Sequence, residues 1–370
     1  MHVHADPLEL LRRRTSEKWT TYPADVLPLF VAEMDYPLAP VVAQAMIDRI
    51  TASDTGYLGS PLPVGEAFAA FAARRWAWQV APETVHTTTD VSVAIVETLR
   101  QAIEPGQGVV INSPVYPPFF ELPVEAGGVA VDVPLRDGSI DLDALERAFA
   151  AGARAYLLCN PHNPLGLVHT RDTLEAVAEL AARYGVTVVS DEIHAPLVHT
   201  GSTFTPYLTV SDAARATGIC VTSASKAFNL AGVKCAVMVA SEGRPRALLD
   251  GLSEEVLWRT SLLGAHASIA AFTLGDEWLD ATIAALESSS ILLGALLTDL
   301  LPDVSFRPPA ASYLAWLDFP DAWGADPALR ALERKVALAS GPEFGAPGFA
   351  RLNFACSPEV LTEAVTRLAG

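Results

Sequence analysis

Three clusters of residues in this chain have the types and spacing to do chemistry. The first is Ser223-Ala224-Ser225-Lys226, which directly follows the apolar run Gly218-Ile219-Cys220-Val221-Thr222. A lysine amine attacks an aldehyde, forming an imine, only when desolvation or a neighbouring cation lowers its pKa, and a buried strand end supplies that setting. The serine three positions earlier is able to bind a phosphate. Taken alone, the tetrapeptide also suits an ordinary snorkelling lysine. The second cluster is Asn160-Pro161-His162-Asn163-Pro164-Leu165-Gly166, a rigid turn because each proline restricts both itself and its predecessor. Rigidity lets a side-chain amide be aimed. The third is Ser190-Asp191-Glu192-Ile193-His194, with a carboxylate at a strand end where an unpaired charge is expensive. Asp191 therefore calls for a cationic partner, either a core arginine or a protonated heterocycle.

The elements that must position these clusters are legible as apolar runs. Gly108 to Asn112, Ala155 to Cys159, Val186 to Ser190 and Gly218 to Thr222 lack polar alternation, which predicts central strands buried on both faces. Between about Pro40 and Ala240 such runs alternate with alanine-rich amphipathic stretches, the pattern of an α/β domain. In open α/β sheets ligands sit at the carboxyl ends of strands, so the three clusters are expected to converge. Beyond about Gly251 the pattern changes to a long helix over Asp276 to Leu301, a strand in the latter half of Ser312 to Phe319, and a half-buried strand over Arg351 to Ala355. A final helix begins at Ser357-Pro358-Glu359. The first forty residues, rich in proline and aromatics, read as an arm lying over another surface.

Composition bounds the remaining choices. With 370 residues, 51% of them apolar, the chain can bury a large core and divide into two or three structural domains. A formal net charge of −18 argues against nucleic acid or an anionic membrane as partner, since both need clustered cations. The amino terminus lacks the apolar core of a signal peptide, and no later apolar run is read as long enough to span a bilayer. A cytoplasmic location is expected. Cys159, Cys220, Cys235 and Cys356 form no C-x-x-C pair, which predicts buried free thiols and neither a disulfide framework nor a metal site. No strand is followed by G-x-G-x-x-G, so a nicotinamide dehydrogenase is disfavoured.

Together the three clusters resemble the fold-type I pyridoxal phosphate (PLP) enzymes of the aminotransferase class I and II superfamily, and the resemblance covers nearly the whole chain. It implies an α/β fold in which a mostly parallel seven-stranded sheet lies between helices, with a smaller α+β domain. The expected division is residues 1–40 as the arm and part of the small domain, 41–260 as the large cofactor domain and 261–370 as the small domain. Lys226 would hold the cofactor, Asp191 would pair with the pyridinium nitrogen, and Asn163 would donate to the ring's phenolic oxygen. Thr88-Thr89-Asp90-Val91-Ser92 resembles the family's phosphate loop, with amides from Val91 and Ser92 at a helix start. Asp90 departs from the small residue common there, and its carboxylate would repel a phosphate unless turned away as a helix cap. Ser223 would add a hydroxyl to the phosphate, and Lys234 a charge where many relatives carry arginine. Tyr116 matches the aromatic that stacks on the ring, His194 is a further residue expected to bind the cofactor, and Tyr57 matches a tyrosine that reaches the neighbouring subunit's phosphate in a homodimer. Arg351 would bind the substrate carboxylate.

Ser16-Glu17-Lys18-Trp19 and Leu27 to Tyr36, with Ala32-Glu33-Met34-Asp35 at its centre, are similar to the signature of the cystathionine β-lyase branch that includes the MalY and PatB type C-S lyases. Phe30, Glu33 and Tyr36 are its departures, near the expected substrate entrance. The branch acts on small amino-acid substrates, releasing a thiol, pyruvate and ammonia, with Lys226 as both anchor and base. Tyr116 or Tyr57 are candidates to protonate the departing thiolate. A class I/II aminotransferase and a non-catalytic PLP-binding regulatory protein are the competing readings.

Overall fold

The computed structural model describes residues 2–370. Its centre is a seven-stranded sheet built from β1 (Val85–Thr88), β2 (Gly108–Ile111), β3 (Val129–Asp132), β4 (Ala155–Cys159), β5 (Thr187–Asp191), β6 (Gly218–Thr222) and β7 (Ala236–Val239). The spatial order is β1-β7-β6-β5-β4-β2-β3. Strands β6, β5, β4, β2 and β3 run parallel, while β7 pairs antiparallel with both β6 and β1. Every residue of β4, β5, β6 and β7 is buried, as strands covered by helices on both faces must be. β3 at one edge is partly exposed and only four residues long, and so short a segment carries little strand signal.

Six helices matter for the site: α1 (Pro40–Thr51), α2 (Leu62–Trp76), α3 (Val91–Ala102), α4 (Leu262–Leu274), α5 (Asp276–Leu300) and α6 (Pro358–Ala369). α3 starts where β1 ends, capped by Asp90, whose side chain accepts from the Val93 amide. α4 packs against α1 and α2, so residues beyond 260 continue on the body that carries the large sheet. Gly264 permits this seating, because a Cβ there would meet the Val233 carbonyl at 2.0 Å.

The smaller unit has a four-stranded sheet of β8 (Ser305–Phe306), β9 (Leu314–Asp318), β10 (Ala339–Ser340) and β11 (Phe349–Asn353), ordered β10-β11-β9-β8 with antiparallel pairings. α6 packs beside α5, and Ser357 caps it by accepting from the Val360 amide at 3.2 Å. The amino-terminal segment joins this unit, since Leu27 and Pro28 pair with Val336 and Ala337.

Two expectations require correction. α5 is long and apolar enough to cross a bilayer, at 25 residues and a window hydropathy of 1.5, whereas no such run was expected. One face of it, including Trp278, Leu279, Leu286 and Leu293, lies in the protein core, while Ile291 on another face is exposed. β11 is not half-buried, because Ala350 to Asn353 are all covered. Its alternation separates an apolar core from a polar cavity, with Arg351 and Asn353 facing protein partners in place of water.

Candidate active site

The carboxyl ends of β4, β5 and β6 open into one cavity of about 540 Å³. Asn163, Asp191, Lys226 and Arg351 all line it, so the three clusters do converge. The turn after β4 is held by two cis prolines, Pro161 and Pro164, and by Gly166 at φ +61°. A Cβ on Gly166 would meet Pro309 at 2.2 Å. The Asn163 backbone carbonyl accepts from the Tyr116 amide at 3.0 Å.

Burial dominates the electrostatics. Desolvation lowers the Lys226 amine to about 8, with the positive Arg351 nearby pushing the same way. Desolvation raises the Asp191 carboxyl to about 7, against the Ile193 amide that donates to it at 3.0 Å and the charge of Lys226. Among the described residues no arginine or lysine forms an ion pair with Asp191, which removes the core-arginine alternative. Arg351 is lowered to about 10 by burial. Its Nη1 donates to Asn163 Oδ1 at 3.1 Å, its Nη2 to the Phe30 carbonyl at 3.0 Å, and its plane lies 4.9 Å from the Phe344 ring centre.

The arm is a strap drawn through the site. Lys226 Nζ donates to the Ala32 carbonyl at 3.0 Å, and the Tyr313 hydroxyl donates to the same oxygen at 2.9 Å. Asn353 Nδ2 donates to the Val31 and Glu33 carbonyls at 2.7 and 2.6 Å. Asn229, in left-handed backbone at φ +58°, accepts from the Met34 amide at 3.0 Å and donates to its carbonyl at 2.9 Å. Beneath the strap Lys18 and Asp35 form a fully buried ion pair at 2.6 Å.

At the far end Asp90, Val91, Ser92 and Lys234 line the cavity around the start of α3. Asp90 does cap the helix, with one oxygen 3.0 Å from the Val93 amide, yet its other oxygen accepts from Lys234 Nζ at 3.0 Å. Ser223 is placed differently from the expectation. Its hydroxyl donates to the Cys235 carbonyl at 2.7 Å and accepts from the Ser225 amide at 3.1 Å, so it serves the backbone turn, and Ser225, with Ser92, lines the cavity instead.

A family model described as aminotransferase class I and II matches residues 24–368. The chain belongs to that family. Within it, the chain is 46% identical to a Mycobacterium tuberculosis protein assigned as a cystathionine β-lyase, over 98% of this chain and 96% of that one. It is 37% identical to the cystathionine β-lyase of Corynebacterium glutamicum, over 98% of both chains. The crystal structure of a Corynebacterium diphtheriae protein assigned as a PLP-dependent β-cystathionase superposes with a TM-score of 0.95 at 37% identity, covering 99% and 98% of the two chains.

The remaining expected residues of this family member divide by position. His194 lines the cavity with Nδ1 buried and unpartnered, and burial lowers its pKa to about 3, which keeps the ring neutral. Tyr116 stands at the cavity wall. Tyr57 does not line this chain's own cavity and is 89% exposed, between α1 and α2. The sequence reading did not select Tyr313, Asn353, Lys18 or Asp35. Lys18 and Asp35 both sit inside the motifs that point to the lyase branch, so their signal was present without a role attached. Asn353 lies in a segment read only as a strand, and Tyr313 just before one, in a stretch given no role.

Proposed function

We propose that this chain is a PLP-dependent carbon-sulfur β-lyase that converts L-cystathionine or related S-substituted cysteines, with water, into a thiol, pyruvate and ammonia, acting as a cytoplasmic homodimer. The observation that carries the reading is a lysine amine lowered to about 8 by burial, sharing one cavity with a buried carboxyl that has no protein cation as partner.

The residues present fit the cofactor. Asp191 gains its counter-charge from a protonated ring nitrogen, Lys226 suits an aldehyde, and the start of α3 with Lys234 suits a phosphate. Arg351 Nε is buried and unpartnered, leaving a donor for a substrate carboxylate. Asn163 lies beside it, its oxygen already holding Nη1, so its amide nitrogen is the part left for the cofactor's phenolic oxygen.

When bound, the cofactor supplies an electron sink for the charge that develops at the substrate Cα. Lys226, once displaced from its anchoring role, takes the Cα proton at Nζ. A pKa of about 8 leaves a useful free-amine fraction near neutral pH. Asp191 would hold the ring nitrogen of the bound cofactor, and Arg351 would orient the substrate carboxylate with help from Asn163 and the Phe30 carbonyl. Tyr116 is the tyrosine at the cavity wall and offers its hydroxyl to the departing sulfur. Exposure of Tyr57, with Ile47 and Ile50 more than half exposed on α1, supports a second copy covering this face and receiving Tyr57. Four buried free thiols suit a reducing compartment.

Incubation of the purified protein with L-cystathionine is expected to give pyruvate, ammonia and homocysteine in equal amounts, and Lys226→Ala to abolish turnover. Undiminished lyase activity in Lys226→Ala, or glutamate from 2-oxoglutarate in place of pyruvate, would overturn the reading.

A further inference from the structure

We propose that Asp90 weakens and tunes the grip on the cofactor phosphate by competing with it for Lys234, an inference that rests on the PLP reading above. Three cationic side chains line the cavity, Lys226, Lys234 and Arg351. Lys226 is committed to the Ala32 carbonyl, and Arg351 to Asn163 and Phe30. Lys234 alone stands at the α3 start, and its ammonium lies 3.0 Å from Asp90 Oδ2. Ser223 does not compensate, because its hydroxyl is turned to the Cys235 carbonyl.

The Lys234 backbone is fixed in left-handed geometry at φ +57°, its carbonyl accepting from the Ser261 amide at 3.1 Å. Its side chain is free to turn. The two side chains of the pair are 51% and 32% exposed, so the pair itself is weak and readily exchanged for a doubly charged phosphate. Asp90 cannot leave, however, since its other oxygen caps α3. A phosphate at that helix start therefore gains Lys234 and meets the Asp90 carboxylate at the same time. Net charge at the cradle is one unit less favourable than with a neutral cap.

Asparagine caps as well as aspartate, so Asp90→Asn removes the charge and keeps the helix. Equilibrium dialysis of the full-length protein is expected to give a PLP Kd about tenfold lower in Asp90→Asn, equivalent to about 1.4 kcal/mol. In Lys234→Met the Kd should rise by a similar factor. Pyridoxal, which lacks the phosphate, should bind the wild type and Asp90→Asn equally. An unchanged or weaker PLP Kd in Asp90→Asn would overturn the proposal, as would an equal gain for pyridoxal. Absence of PLP binding by the wild type would instead overturn the underlying reading, and the proposal with it.

Discussion

Replacing Lys18 by methionine should destabilise this protein more than a change at a partly apolar side chain ordinarily does. Lys18 Nζ sits 2.6 Å from Asp35 Oδ1, with both side chains essentially inaccessible, and also donates to the Glu33 carbonyl at 3.1 Å. Burial already pushes the Asp35 carboxyl up, opposed chiefly by the charge of Lys18, and Asp35 Oδ2 has no partner. Removing one member of a buried pair strands the other, at about 3–5 kcal/mol. A chain of 370 residues, at about 2.1 cal/mol/K per residue, unfolds with an entropy near 0.8 kcal/mol/K, so the loss corresponds to about 4–6 °C in Tm. Calorimetry measures that shift, and hydrogen exchange at the Met34 and Asp35 amides, bonded to Asn229 and the Ala355 carbonyl, locates it. Lys18→Met with Asp35→Leu should recover most of the loss, because an apolar pair needs no charge balance. A shift under about 1 °C in the single variant, or a double variant no better than the single, would refute the assignment of the stability to charge pairing.

Three other outcomes are expected. Glu192 is buried and raised from 4.5 to about 7 by desolvation, so the folded state holds a proton the unfolded state has lost, and stability should fall as pH rises through that window. Glu192→Gln should make the profile shallower, the remaining fall being that of Asp191, and be up to about 3 kcal/mol more stable at pH 8 than the wild type at the same pH; parallel denaturation profiles for the two proteins would contradict this. Arg351→Lys should lower kcat/KM for cystathionine about 10- to 100-fold through loss of the planar fork, and kinetics within twofold of the wild type would remove Arg351 from carboxylate binding. Sedimentation equilibrium should give twice the 39.3 kDa chain mass, with a monomeric but fully active enzyme as the contrary result.

Much of the fold was legible because its decisive signals are local. Ala155 to Cys159 and Gly218 to Thr222 are unbroken apolar runs and are strands with those bounds, and the polar clusters that follow them meet at the cavity. β3 and the two-residue pairing of Leu27 and Pro28 escaped because short edge segments contain few residues to form a pattern. The site was legible where a residue's type announces its chemistry, as with Lys226 and Asp191. Ser223 was misplaced because motif and spacing do not say which way a hydroxyl points, and the nearby Cys235 carbonyl decided it. Asn353 was missed for a related reason. An asparagine on an alternating strand reads as a solvent-facing residue, and only the folded chain shows that it faces the carbonyls of Val31 and Glu33.

The strap joins residues 30–35 to residues 351–355, two segments far apart in sequence. Phe30, Val31 and Glu33 are held by Arg351 and Asn353, residues 320 to 322 positions later, and Asp35 by the Ala355 carbonyl. Contacts so distant in sequence form only after nearly the entire chain has been synthesised. A ribosome-bound chain that has passed β6 and the turn after it possesses Lys226, yet it has no means of fastening Ala32 over it. Premature termination between Lys226 and β11 would thus yield a protein with the lysine and an unfastened amino terminus. Fastening the strap therefore requires translation to have passed Ala355.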